Sequence, residues 1–238
     1  MPNALITGAS RGLGLALAKA LAERGWNLVI TARNPGDLEN ARAELVQNTQ
    51  VTAIPGDVSD AAHARALIEA ARELGGLDAL LNNASILGPS SDRAESDWKP
   101  QPALADYPLD VLEHVYRVNV FAPLQLIQLA LPILKPGARV INVTSDAGLE
   151  AYAGWGGYGS SKAALEQLSS ILAAEQPELR VYWVDPGDMN TRMHQEAFPG
   201  EDISDRPAPE ASVPGFLQLL EGDLPSGRYQ TQKMEATR

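Results

Sequence analysis

The feature that most limits what this chain can fold into lies at its start: an apolar run, a glycine turn and a helix, in that order. Asn3 to Thr7 (N-A-L-I-T) has the continuous apolar character of a buried strand. Thr7-Gly8-Ala9-Ser10-Arg11-Gly12-Leu13-Gly14 follows, then a helix rich in Ala and Leu to about Arg24. Gly8 allows a tight turn, Gly12 lets backbone approach a ligand, and Gly14 lets the helix pack closely on the strand. The N-terminus of such a helix offers free N–H groups and a positive dipole end to a pyrophosphate. The spacing is G-x-x-x-G-x-G rather than G-x-G-x-x-G, and glycines at a turn can be purely structural. Strand, glycine turn and helix together are the context that a dinucleotide-binding turn requires.

The rest of the chain repeats the rhythm. Strands are expected at Asn27–Ala32, Val51–Ile54, Asp78–Leu81, Ala138–Val143 and Leu179–Val184. Helices are expected at Pro35–Gln47, Asp60–Leu74 and Tyr158–Glu175. A long helical segment, Leu109–Leu134, should be kinked or thinned by Pro123 and Pro132. Strict alternation implies an α/β protein: a doubly wound parallel sheet of the Rossmann type, about seven strands with helices on both faces. With 238 residues and no linker, 1–238 reads as a single domain. Two proline-rich stretches, Leu87–Pro108 (with Pro89, Trp98 and Pro100) and Pro186–Pro209, follow strand carboxyl ends. Ligands bind at those ends in open α/β sheets, so both stretches are expected to act as lids. Trp155, Met189 and Met193 are candidate pocket walls, with core packing an equal explanation.

The second strand ends at Arg33, where this fold faces an adenosine ribose. An acidic residue there would hold the 2′-hydroxyl of NAD. Arg33, with Arg11 in the glycine turn, instead suits the 2′-phosphate of NADP(H), with NAD(H) the weaker candidate. Two ordinary surface arginines would look the same in sequence.

A second constellation lies at Thr144–Lys162, after the strand that ends at Val143. Ser145 stands at a strand's carboxyl end. Tyr158 and Lys162 are four apart and share one helix face. A phenol with pKa near 10 is a poor proton shuttle, and a nearby lysine cation is expected to lower it. A serine hydroxyl can hold an oxygen on which charge develops. Tyr158 in a core with a solvated Lys162 is the plainer reading of that pair taken alone.

Composition excludes several classes. The formal net charge of −11 and the absence of a basic run argue against nucleic acid or an anionic membrane surface. There is no cysteine, so disulfides and thiolate metal sites are excluded, and no metal site is expected. No run of about 20 apolar residues reads as a membrane span. The first strand begins at about Asn3, which leaves no room for a signal peptide, and a cytoplasmic location is expected.

These motifs together resemble the classical short-chain dehydrogenase/reductase family. T-G-A-S-R-G-L-G at 7–14, D-V at 57–58, N-N-A-S at 82–85, the V-N-V asparagine at 119, Ser145, Y-G-S-S-K at 158–162 and P-G at 186–187 with Thr191 stand in the family's order. The resemblance covers Asn3 to about Val184 and weakens beyond Thr191. It implies a catalytic tetrad of Asn119, Ser145, Tyr158 and Lys162. Tyr158 would be the general acid/base, and Asn119 would support a water-linked proton relay. It implies cofactor contacts from Gly8, Ser10, Arg11, Gly12, Leu13, Gly14, Arg33, Asp57, Val58, Asn82, Ala84, Tyr158, Lys162, Pro186, Gly187 and Thr191. The implied activity is NADP(H)-dependent hydride transfer between nicotinamide and a small-molecule carbonyl or secondary alcohol. A catalytically silent cofactor-sensing protein is the competing reading, and the intact tetrad argues against it. Ser85 stands where the family usually has glycine, and Leu87–Pro108 resembles an insertion. The segments Pro209–Val213 and Ser226–Tyr229 look like the carbonyl-reductase and C-factor-like branch. A homodimer is expected through the faces of 109–134 and 158–175, on the apolar set Leu124, Ile127, Leu131, Leu165, Leu168 and Leu172.

Overall fold

The computed structural model describes residues 1–88 and 102–234. Residues 89–101, which include Pro89, Trp98 and Pro100 of the expected rim, lie outside the described residues. Seven strands form one sheet: β1 (Asn3–Thr7), β2 (Asn27–Thr31), β3 (Val51–Ala53), β4 (Leu77–Asn82), β5 (Leu134–Val143), β6 (Arg180–Asp185) and β7 (Gly227–Gln230). Their order is β3-β2-β1-β4-β5-β6-β7, and every pairing is parallel. The order reverses at β1, which pairs β2 on one side and β4 on the other. A crevice opens at such a reversal, at the carboxyl ends of the strands.

The helices are α1 (Gly12–Glu23), α2 (Pro35–Leu45), α3 (Ala61–Glu73), α4 (Leu109–Tyr116), α5 (Ala122–Ala130), α6 (Gly156–Glu175), α7 (Arg192–Ala197) and α8 (Val213–Glu221). Each face of the sheet is covered, so neighbouring residues of β1 all enter a core. Ala4 and Ile6 join the apolar cluster under α1 and α8, and Leu5 joins the cluster under α3 and α5. This is why the strands read as continuous apolar runs and not as alternations.

Helix starts are set by side chains. Asn34 accepts from the amides of Gly36 and Asp37 at the head of α2, and Asp60 from those of Ala62 and His63 at the head of α3. The head of α1 has no such bond: Arg11 stands at its N-cap without a side-chain hydrogen bond.

Three segments refine or correct the sequence-based expectation. The helical segment 109–134, expected to be kinked or thinned at Pro123 and Pro132, carries a π-helical stretch, Arg117–Phe121, before Pro123 and a 3₁₀ turn, Leu131–Ile133, at Pro132. Pro123 has no N–H to give the carbonyl of residue 119, and the wider π turn takes up that fault. The stretch 186–209 is not loop throughout. Thr191 accepts from the His194 amide and starts α7 within it. The apolar set offered for a dimer face is partly internal: Ile127 and Leu165 are buried, and Leu131 and Leu172 pack against the α3–α5 core. The outward apolar residues of these elements are Leu109, Phe121 and Ile171. Among the described residues, no helix is long and apolar enough to cross a membrane.

Candidate active site

The carboxyl ends of the strands open onto one cleft of about 2880 Å³. Its floor begins with the glycine turn. Gly8 and Gly12 have φ of 68° and 54°, the left-handed region that disfavours a side chain. A Cβ on Gly14 would lie 2.3 Å from the Gly8 carbonyl oxygen, so only glycine lets α1 start this close to β1. The Asn83 amide donates to the carbonyls of Thr7 and Gly8 at 2.9 and 3.2 Å, and Thr7 Oγ1 accepts from the amides of Asn83 and Ala84. The turn is thereby braced from β4.

Gly8, Ser10, Arg11, Gly12, Leu13, Arg33, Asp57, Val58, Ala84, Pro186, Gly187 and Thr191 all line the cleft. Thr191 reaches across it to Gly12. Two expected contacts do not face it. Gly14 packs under the turn. Asn82 is buried within the sheet, where its Nδ2 donates to its register partner on β5, Asn142, at 2.8 Å. The neighbouring Asn83 holds the cleft position, a role the N-N-A-S motif carries without singling out which asparagine.

Arg11 and Arg33 are exposed on the cleft wall, and among the described residues neither is hydrogen-bonded to a carboxylate. Burial tends to raise the Asp57 carboxyl. Hydrogen bonds from Ser59, with Arg33 and His114 nearby, outweigh that and leave it below its ordinary value. The cradle therefore fits a dinucleotide: a helix head without a side-chain cap, no room for a Cβ on Gly14, and two exposed guanidiniums at its rim.

The far end of the cleft holds the catalytic candidates. Helix α6 seats its first turn tightly, since a Cβ on Gly157 would lie 2.2 Å from the Tyr107 hydroxyl and one on Gly159 2.6 Å from the Ala147 carbonyl. That seating brings Tyr158 beside Ser145, close enough for the serine hydroxyl to weigh on the phenol's acidity. Ser145 Oγ donates to Asp146 Oδ1 at 2.9 Å and accepts from the Ala147 amide at 3.2 Å. Lys162 Nζ donates to the Val143 carbonyl at 2.8 Å and lies 5.4 Å from the centre of the Tyr158 ring. Tyr158, Lys162 and Ser145 line the cleft, and Asn119 does not. The Asn119 side chain is fully engaged elsewhere. Its Oδ1 accepts from Ser85 Oγ and the Ile86 amide, and its Nδ2 donates to the Ile86 carbonyl and Ser161 Oγ. Asn119 ties the loop after β4 to α6.

The electrostatics correct one expectation. Burial pushes the Tyr158 phenol well above its ordinary value, and the nearby Ser145 hydroxyl offsets only part of that. Lys162 does not draw the phenol down, because its own charge is disfavoured. Burial pushes its ammonium down to about 7, against a partial rise from Glu166 one turn along α6.

Glu166 belongs to a network that the sequence did not reveal. Arg228, from β7, reaches Glu166 at 3.1 Å, Asp185 at 3.6 Å and the Ser145 carbonyl at 3.3 Å. Thr144 Oγ1 donates to Glu166 at 2.7 Å, and Gln230 donates to Asp185 at 2.8 Å. Arg228 neutralises the carboxylate nearest Lys162 and fixes the backbone of Ser145. Its only signal in the sequence was an arginine in S-G-R-Y, without a visible partner.

Comparison with known proteins shows the family. The family model described as short chain dehydrogenase matches residues 2–202, and the chain belongs to that family of oxidoreductases. It is 31% identical over 222 residues to a benzil reductase of Saccharomyces cerevisiae that forms (S)-benzoin, covering 90% of this chain and 79% of that protein. It is 36% identical over 240 residues to a 3-oxoacyl-acyl-carrier-protein reductase of rhamnolipid biosynthesis from Pseudomonas aeruginosa, covering 95% and 82%. Among solved structures, a short-chain dehydrogenase from Shigella flexneri complexed with NADP superposes with a TM-score of 0.86 at 28% identity, covering 97% of each chain.

The buried lysine gives a test with a defined sign. The Lys162 pKa falls from 10.5 to about 7 on folding. Between those values the unfolded chain binds more protons, so wild-type stability rises with pH across that window. In thermal unfolding of the cofactor-free protein, Lys162→Met should be more stable than wild type at pH 7, by a few kcal/mol at most. That advantage should shrink as pH approaches 10. A variant that is less stable, or a difference independent of pH, would mean that Lys162 is charged and well paired in the folded protein.

Proposed function

We propose that this protein is an NADP(H)-dependent reductase of small-molecule ketones or aldehydes, able to run in reverse on secondary alcohols. The observation that carries the reading is the Ser145–Tyr158 hydroxyl pair, with Lys162 beside it, at the end of a cleft that begins at the glycine turn. The relative crystallised with NADP supports the choice of cofactor.

The uncapped head of α1 would hold the pyrophosphate, and Arg11 and Arg33 the 2′-phosphate. Asp57 and Val58 would meet the adenine, Lys162 the nicotinamide ribose, and Pro186 to Thr191 the nicotinamide end. A bound NADPH would supply the hydride to the carbonyl carbon. As charge gathers on the carbonyl oxygen, Ser145 Oγ turns its proton from Asp146 to that oxygen and Tyr158 delivers its phenolic proton. An alkoxide is the conjugate base of an acid about as weak as water, weaker than a phenol. The proton therefore moves downhill even from a phenol that burial has raised. A phenol kept protonated at neutral pH is matched to the reducing direction.

Tyr158→Phe keeps the ring and removes the acid. Ketone turnover with NADPH should fall about 10²–10⁴-fold while NADPH still binds. Retention of more than about a tenth of the wild-type rate would remove Tyr158 from the chemistry.

Cofactor choice is tested separately. Charge-assisted bonds from two arginines, discounted for exposure and salt, should give NADPH a preference on the order of 10²-fold over NADH. In binding titrations, Arg33→Asp should cost NADPH affinity strongly and leave NADH affinity similar or better. The preference should also narrow as salt rises. Equal loss for both cofactors would show that Arg33 does not read the phosphate.

A further inference from the structure

Aromatic residues are scarce in this chain, at 5% of its length. Yet several rings form a chain that ends on the Tyr158 ring. Trp155 stands edge-on to Tyr158, with ring centroids 5.8 Å apart and planes at 68°. Phe198, which follows α7, lies 5.8 Å from Trp155, and His194 lies 4.9 Å from Phe198. Tyr152 is edge-on to Trp155 at 6.5 Å. All five side chains line the cleft. Tyr152, Trp155 and Phe198 belong to none of the sheet's apolar cores, so filling the interior is not what places them.

The cluster joins two segments that are distant in sequence, the entry to α6 and the exit of α7. Its ring spacings fall in the range of about 4.5–7 Å at which aromatic pairs attract through edge and face. A wall built this way accepts one more ring on the same terms. Ser145 and Tyr158 fix where a carbonyl oxygen must sit, and Trp155 is in direct ring contact with that same phenol. A group held against Trp155 lies next to the seat of that carbonyl, within reach of a ring joined directly to the carbonyl carbon.

We propose that the substrate is an aryl carbonyl: a ketone or aldehyde whose aromatic ring is attached directly to the reacting carbon and packs among Trp155, Phe198 and His194. This rests on the carbonyl-reductase reading and names its substrate class. Ring contacts are expected to favour the aryl substrate by roughly 2- to 12-fold each over a saturated ring of the same size, as measured aromatic pairs do.

Acetophenone and cyclohexyl methyl ketone share a carbon skeleton and differ in aromaticity, so they make a matched pair. The measured quantity is the ratio of their kcat/KM values with NADPH on one enzyme preparation. The folded fraction cancels from that ratio, and intrinsic reactivity cancels when variants are compared with wild type. In Trp155→Leu and Phe198→Leu the ratio should move toward the saturated ketone by roughly 2- to 12-fold, carried by KM of the aryl substrate. Trp155→Phe should restore most of it. A ratio that stays within about 1.5-fold of wild type in both leucine variants, too small for one ring contact, overturns the aryl proposal and leaves the reductase reading standing. Wild-type protein that reduces neither of these ketones nor any other carbonyl overturns both.

Discussion

The bond from Lys162 Nζ to the Val143 carbonyl is the contact on which the site depends. It joins α6 to the carboxyl end of β5, at the strand end from which Ser145 springs. A fully buried ammonium is costly, and the fold contains that cost in three ways. The carbonyl satisfies one donor, the Tyr158 ring lies 5.4 Å from the charge, and Glu166 stands one turn away. Arg228 then balances Glu166, so that the lysine is not locked into a salt bridge. The result is a lysine close to its neutral point and a phenol held firmly protonated. Both are costly to bury, and both face the cleft.

The same logic explains how the carboxyl-terminal part of the chain is used. β7 adds the last strand beside β6 and carries Arg228 and Gln230 to the ends of β5 and β6. Those two residues hold Asp185 and the backbone of Ser145, so the edge of the sheet shapes its centre. The glycine turn at the opposite end is braced by Asn83 from β4. Both halves of the cleft are thus fixed from the strands beneath them, which leaves the segments above free to define the substrate.

What could be read from the sequence follows from the range of the forces involved. β1, α1 and the strand–helix rhythm are local: apolar runs, glycines and the caps Asn34 and Asp60 announce them. Tyr158 and Lys162 are legible because four residues is one helical turn. Long-range facts were not legible. The Arg228–Glu166 pair spans 62 residues, and no local pattern marks either partner. The hold of Ser85, Ile86 and Ser161 on Asn119 likewise joins segments more than thirty residues apart. Helix α7 is only six residues long amid prolines, too short for its periodicity to show. The sense of the Tyr158 shift was misjudged because helix spacing gives the distance to a charge but not the depth of burial, and burial dominates here.

The central claim is that this cleft passes a hydride from a nicotinamide to a carbonyl carbon under Tyr158. The most direct measurement follows the hydrogen itself. NADPH carrying deuterium at the transferable position of its nicotinamide ring would be incubated with the protein and a ketone, and the alcohol examined by NMR. The account predicts deuterium on the carbinol carbon, delivered to one face only, and formed about 10²–10⁴-fold more slowly with Tyr158→Phe. NADPH that binds while no alcohol forms, or an alcohol whose carbinol hydrogen comes from water, would contradict it.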